Sequence, residues 1–205
     1  MEEIGLFPLP IVLLPTERIP LHIFEPRYKE LIGECLRSGE EFGLVLQDES
    51  GRREIGTRAA VVEVLQVFDD GRMNVVVEGH DRFRVRELTS GRAFPTGDVE
   101  PVDDEDEDED AASADSDRAL ALFRNLVEVA GGEVDEPDGS TGPLSFEIAA
   151  RVDFGIEPKQ ELLELRSEPA RLQQLCTLLE GAIEAVERER EVRERAATNG
   201  KVSHG

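Results

Sequence analysis

Residues 103–110 read DDEDEDED, eight consecutive carboxylates that no core can take in. Like charges packed this densely repel one another and hold water, so the segment is expected to be a flexible linker over 103–117. A calcium loop is the weaker reading, because such loops need ligands at fixed offsets around a glycine turn and this run has neither. Composition changes across it. Residues 1–102 are rich in Val, Ile, Phe, Gly and Pro, whereas 118–195 are rich in Leu, Ala, Glu and Arg. The chain therefore divides into a β-rich lobe over 1–102, the linker, a helical lobe over 118–195 and a disordered tail over 196–205.

In the first lobe AAVVEVLQVF (59–68) partly alternates apolar and polar residues, as a half-buried strand does. Asp69-Asp70-Gly71-Arg72 supplies the Asp and Gly of a tight hairpin turn, and MNVVVE (73–78) returns. DRFRVREL (81–88) alternates again. Short strands separated by turns predict a small, mostly antiparallel barrel or sandwich. One helix interrupts them. Pro26 suits a first helical position, Tyr28, Leu31, Ile32 and Cys35 recur at helical spacing, and Gly39 suits the end, which predicts a helix over 26–38.

The second lobe carries one apolar stripe at Ala119, Leu122, Phe123, Leu126, Val127 and Ala130, stopped by Gly131-Gly132. After the polar stretch 133–143 come LSFEIAARV (144–152) and a short helix near 159–165. A last helix, with Pro169 in its first turn, presents Leu172, Leu175, Cys176, Leu179, Ala182, Ile183 and Val186 on one face. The tail of that helix, 187–195, has Val192 as its sole apolar residue and depends on ion pairs at helical spacing.

Charge and side-chain chemistry narrow the function. The net charge is −23, from 46 acids against 23 bases, which repels phosphate backbones and anionic lipid and makes nucleic acid and membrane poor partners. Cys35 and Cys176 lie in apolar helical patterns and read as buried free thiols. With only His22, His80 and His204 there is no zinc-ligand cluster, and neither His22 nor His80 has a triad partner nearby in sequence. No metal, cofactor or catalytic residue is expected. The apolar opening stretch is broken by Pro8, Pro10 and Pro15 and follows acids, which fits neither a signal peptide nor a membrane span. A cytoplasmic protein is expected.

Four ordered blocks carry a resemblance: LFPLPIVLLPTERIPLHIFEPRYKELI (6–32), IGTRAAVVEV (55–64), DGRMNVVVEGHDRFRV (70–85) and LSFEIAARVDFGIEPKQELLELRSEPARLQQLCTLLE (144–180). Together they resemble the substrate-binding domain at the N-terminus of Lon proteases, in its free-standing bacterial form. The resemblance implies an α+β fold: an N-terminal PUA-like twisted β-pseudobarrel with one packed helix, then a C-terminal α-helical bundle. It also implies a non-catalytic module for unfolded or apolar polypeptide segments, with an ATP-dependent protease as a further expected partner. A complete Lon protease adds an ATPase and a serine–lysine peptidase, and this chain shows no GxxxxGK loop. Lys29 and Lys159 fall within binding-domain motifs and are not carried over as catalytic.

A binding module of this kind needs an accessible apolar strip. The candidates are Phe24, Tyr28 and Leu31, framed by Glu25 and Arg27, where the chain enters its first helix and where its only tyrosine lies. Against this, Phe24 and Leu31 suit a core, and Glu25 and Arg27 suit a mutual ion pair. Arg82 and Arg84 form a positive strip or join cross-strand ion pairs, and Gly79 marks a turn or a close backbone approach. An orphan peptidase-like hydrolase and an RNA-binding PUA-like protein are the alternative functions.

Overall fold

The turn at 69–72 sets the architecture, because Gly71 takes a positive φ of 79° and folds two long strands onto each other. The computed structural model describes residues 2–105 and 109–199. Before the turn runs β5 (Ile55–Val67) and after it β6 (Met73–Thr89). The other strands are β1 (Glu2–Leu9), β2 (Arg18–Ile23), β3 (Phe42–Asp48), β4 (Gly51–Arg52) and β7 (Thr96–Pro101). They form a seven-stranded sheet in the order β1-β7-β6-β5-β3-β4, and β1 also pairs in parallel with β3, Leu6 to Leu9 against Gly43 to Leu46. That pairing closes the ring, and closure removes edges from the barrel proper.

The two segments read from sequence as separate strands, 73–78 and 81–88, are one 17-residue strand. Its start lies between β2 and β5, forming a three-stranded arm; its end lies between β5 and β7 in the barrel. Gly79 stands at the change-over. Its N–H donates to the Glu17 carbonyl and its own carbonyl accepts from the Thr16 N–H. A Cβ there would fall 2.2 Å from the Leu14 carbonyl oxygen, so the close approach expected at this glycine is real.

Helix α1 (Pro26–Ser38) has the expected bounds, with Pro26 in its first turn and Gly39 left-handed at φ 75° returning its N–H to the Cys35 carbonyl. Its apolar face, Tyr28, Leu31, Ile32 and Cys35, packs on Phe7, Phe42, Val75 and Val77. Ile4, Leu6, Val45, Phe83, Val85 and Val99 fill the barrel interior.

The helices are α2 (Glu109–Ala130), α3 (Leu144–Ala149), α4 (Ile156–Glu164) and α5 (Glu168–Asn199). The predicted stripes meet here: Ala119, Phe123 and Leu126 of α2 pack with Leu172, Leu175, Cys176, Leu179 and Ile183 of α5. Two boundaries differ from the sequence reading. The 103–117 segment is not linker throughout, since α2 begins at Glu109 and takes in the last acids of the run. The predicted tail 196–205 is helical as far as Asn199. Residues 106–108 and 200–205 lie outside the described part.

The lobes share one core. Val12, Leu14, Leu46, Ile55 and Val102 of the β-rich half pack in the same cluster as the helices. A buried polar seam runs beside it. Arg171 is 0% exposed and donates from Nη1 to Asp104 Oδ1 at 2.7 Å, to the Leu165 carbonyl at 2.9 Å, and from Nη2 to Glu168 Oε2 at 2.6 Å. Arg82, from β6, also pairs with Asp104 and donates to the Leu163 carbonyl at 3.0 Å. The Phe146 ring lies under both guanidiniums, 4.5 Å from Arg171 and 5.4 Å from Arg82. Burial pushes the Asp104 carboxyl up, but its bonds and proximity to Arg171 and Arg82 outweigh this and hold it below its ordinary value. So the second residue of the acidic run is anchored between two arginines. Lys159 of α4 adds a further pair with Glu17, whose Oε2 also accepts the Leu14 N–H at 2.9 Å.

Candidate functional site

The expected site residues separate on folding. Tyr28 and Leu31 point into the sheet and are buried. Tyr28 stacks on Phe7 at 4.0 Å between centroids, and burial pushes its phenol above the ordinary value. Glu25 and Arg27 pair with each other at 2.8 Å on the surface, and the Arg27 guanidinium lies over the outer side of Tyr28. Phe24 alone of the apolar three is open to solvent, at 58% exposure. Helical spacing explains the split: Tyr28 and Leu31 share the face that α1 buries, while Phe24 precedes the helix.

Phe24 belongs to a cluster at the end of the arm. Its ring stacks with His22 at 5.9 Å, His22 meets the edge of Phe68 at 6.2 Å, and the Arg72 guanidinium lies over Phe68 at 5.1 Å. His22 Nδ1 shares a hydrogen bond with Asn74 Oδ1 at 2.6 Å, which fixes the ring across β2 and β6. Next to Phe68 comes the outer half of β5, where Val62, Val64, Leu65 and Val67 are all more than 40% exposed. Each is already about half covered, so burying the remainder would contribute about 1 kcal/mol apiece. The fold leaves that contribution unclaimed on a strand whose inner half, Ile55 to Ala59, is largely buried.

The backbone of the same stretch has a paired strand along one side only, with α1 packed near Val61. β5 pairs with β6 along its length as far as Val67↔Met73. On its other side β3 reaches only Thr57, Arg58 and Ala59. Beyond Ala59 the outer N–H and C=O groups of β5 have no strand beside them among the described residues. The free side of β2 is blunted by Pro20, which has no N–H to offer, but β5 from Ala60 to Val67 contains no proline. Register shifts at Val62 and Leu65 mark bulges that bend the strand. Sequence reasoning found this strand as AAVVEVLQVF but had no means of telling which half the rest of the chain covers.

The other candidates have structural roles. Arg82 is the buried seam residue described above, and Arg84 pairs with Glu54 at 3.0 Å. His80 is not isolated: its Nδ1 lies 2.5 Å from Glu41 Oε1 and its Nε2 3.7 Å from Glu78 Oε1. Two carboxylates orient an imidazole without supplying a nucleophile. Both cysteines are buried, and burial pushes the Cys35 thiol up to about 11, far from the thiolate that nucleophilic chemistry needs. The described residues contain no group of His, Cys, Asp and Glu arranged to hold a metal, and no helix long and apolar enough to cross a membrane.

Comparison with known proteins places this geometry. Lon protease 1 of Hydrogenovibrio crunogenus is 25% identical over 199 residues, which cover 90% of this chain and 24% of that protein. The Lon protease of Anaeromyxobacter dehalogenans is 29% identical over 183 residues, 82% of this chain and 22% of its own length. The chain thus spans about a quarter of the length of these relatives. Among solved structures, a Lon N-terminal domain protein from Xanthomonas campestris matches with a TM-score of 0.63 and 26% identity, covering 86% of this chain and 98% of that one. The N-terminal domain of the Mycobacterium avium complex Lon protease matches at 0.69 and 17% identity, covering 87% and 98%, and so shares the fold. The family model described as the ATP-dependent protease La (LON) substrate-binding domain matches residues 3–181, and the chain belongs to that family.

Proposed function

We propose that this protein is a non-catalytic binding module for exposed apolar or unfolded polypeptide, and that it serves protein turnover by presenting such segments to an ATP-dependent protease. One observation carries the reading: the arm exposes Val62, Val64, Leu65 and Val67 beside Phe68 and Phe24. Unfolded chains differ from folded ones in offering apolar side chains and unpaired backbone, and this surface offers the complement of both. Membership of the substrate-binding family supports the same reading.

The test is binding of unfolded casein, followed by fluorescence anisotropy, to the wild type and to the Leu65→Asp and Phe24→Ala variants. Saturable binding that both variants weaken supports the proposal. Absence of binding overturns it, as does casein cleavage that persists through repurification. Recovery of an ATP-dependent protease from the source cells with the wild type, and its loss with Leu65→Asp, tests the presentation step.

A further inference from the structure

We infer that the bound polypeptide adds to the sheet as a strand on the free side of β5, from Ala60 to Val67, and that the segment it selects is apolar with basic residues flanking it. This deepens the binding reading above and rests on it. The exposed side chains alone would suit any apolar surface. The open row of N–H and C=O groups beyond Ala59 suits only another extended backbone, because each group left without a partner needs water or a strand.

Charge defines the flanks. Glu63, within the stretch, is its one charged residue, and the turn at one end adds Asp69 beside an Asp70 already paired with Arg72. Two nearby bases are neutralised by carboxylates, Arg58 by Glu2 and Arg72 by Asp70, whereas Lys29 Nζ donates to the Asp70 carbonyl at 2.9 Å and keeps its charge. The whole chain carries −23, which attracts basic segments and repels a second copy of itself. The register shifts at Val62 and Leu65 act in the same direction. They break the edge into short straight stretches, which opposes open-ended stacking of flat strands and leaves room for a short guest.

The experiment uses the whole protein and a labelled peptide of alternating Val and Thr with Lys pairs at both ends. Two relatives of the peptide serve as controls, one N-methylated along its backbone and one with Glu pairs in place of Lys. Strand addition predicts that the N-methylated peptide binds at least about tenfold more weakly, since its side chains survive but its donors do not. The Glu-flanked peptide is expected to bind more weakly too, and Glu63→Lys is expected to narrow that gap. Amide hydrogen exchange should slow within 60–67 when the Lys-flanked peptide binds. Equal affinity of the methylated and unmethylated peptides, or unchanged exchange in β5, overturns strand addition. If casein binding still depends on Leu65 in that case, the binding-module reading stands. Self-association through β5 without peptide binding overturns both.

Discussion

The seam between the lobes and the outer half of the arm dispose of their polar and apolar groups in opposite ways. At the seam, charged groups are buried: Arg171 and Arg82 sit over the Phe146 ring and hold Asp104, with Glu168 and Ser145 completing the network. At the arm, apolar groups are exposed, and a strand edge has no strand beside it among the described residues. A buried charge network is sensitive to the loss of any member, because what remains is an uncompensated ion. The exposed apolar side chains tolerate change in the free protein, since they are only partly covered. The difference separates residues that hold the fold from residues available for binding.

The largest expected effect falls on the seam. Replacing Arg171 with Met leaves Asp104 and Glu168 without their shared cation, and urea unfolding should show a loss of about 3–5 kcal/mol. A loss below about 1 kcal/mol would mean that water or Arg82 compensates. Gly79→Ala comes next. Its added methyl meets backbone at Leu14, not a flexible side chain, and about 1–3 kcal/mol of destabilisation is expected from the same measurement.

Acid should act on the seam before the arm. Asp104 is held below its ordinary value in the folded protein, so its contribution is complete above the unfolded carboxyl range. That contribution is lost as pH falls below about 4 towards the lower folded value. Glu147 adds to the trend. Burial pushes its carboxyl up, but hydrogen bonds from Thr141, Gly139 and Gly142 outweigh this and hold it below its ordinary value. Thermal unfolding followed from pH 6 to pH 3 should show a smaller decline in Asp104→Asn than in the wild type; equal declines would place the acid sensitivity elsewhere. The smallest effect on stability belongs to Leu65→Asp. It should change unfolding by less than about 0.5 kcal/mol while weakening polypeptide binding, and a variant that unfolds readily would show the strip to be part of the core.

Local signals were enough to locate α1, α5 and the β5–β6 hairpin. Pro26 and Gly39 mark both ends of α1, the seven-residue apolar stripe marks α5, and Asp-Gly marks the turn. What the sequence withholds is non-local. Gly79 looks like a break between strands, yet it lets one strand pass close to the Leu14 backbone. The acids of 103–110 look uniformly solvated, but Asp104 is claimed by arginines from β6 and α5, far away along the chain. Of the exposed apolar strip, the sequence reading singles out Phe24 and not β5. Periodicity shows which residues share a face of a strand, but only the short reach of β3 shows that the outer half of β5 has no second strand beside it among the described residues.

β6 belongs to both regions, and its continuity has a thermodynamic consequence. The arm has no strand of its own through its centre: the residues that hold β2 and outer β5 in register continue, without a break, into the barrel and on to Arg82 at the seam. Melting the arm therefore disturbs a strand on which the global core depends, and the arm is not a separate unit of local unfolding. A guest bound there is linked to the unfolding equilibrium of the entire chain. At about a hundred times its Kd, such a guest would raise the stability of both lobes by about 2.7 kcal/mol, including helices that it never touches.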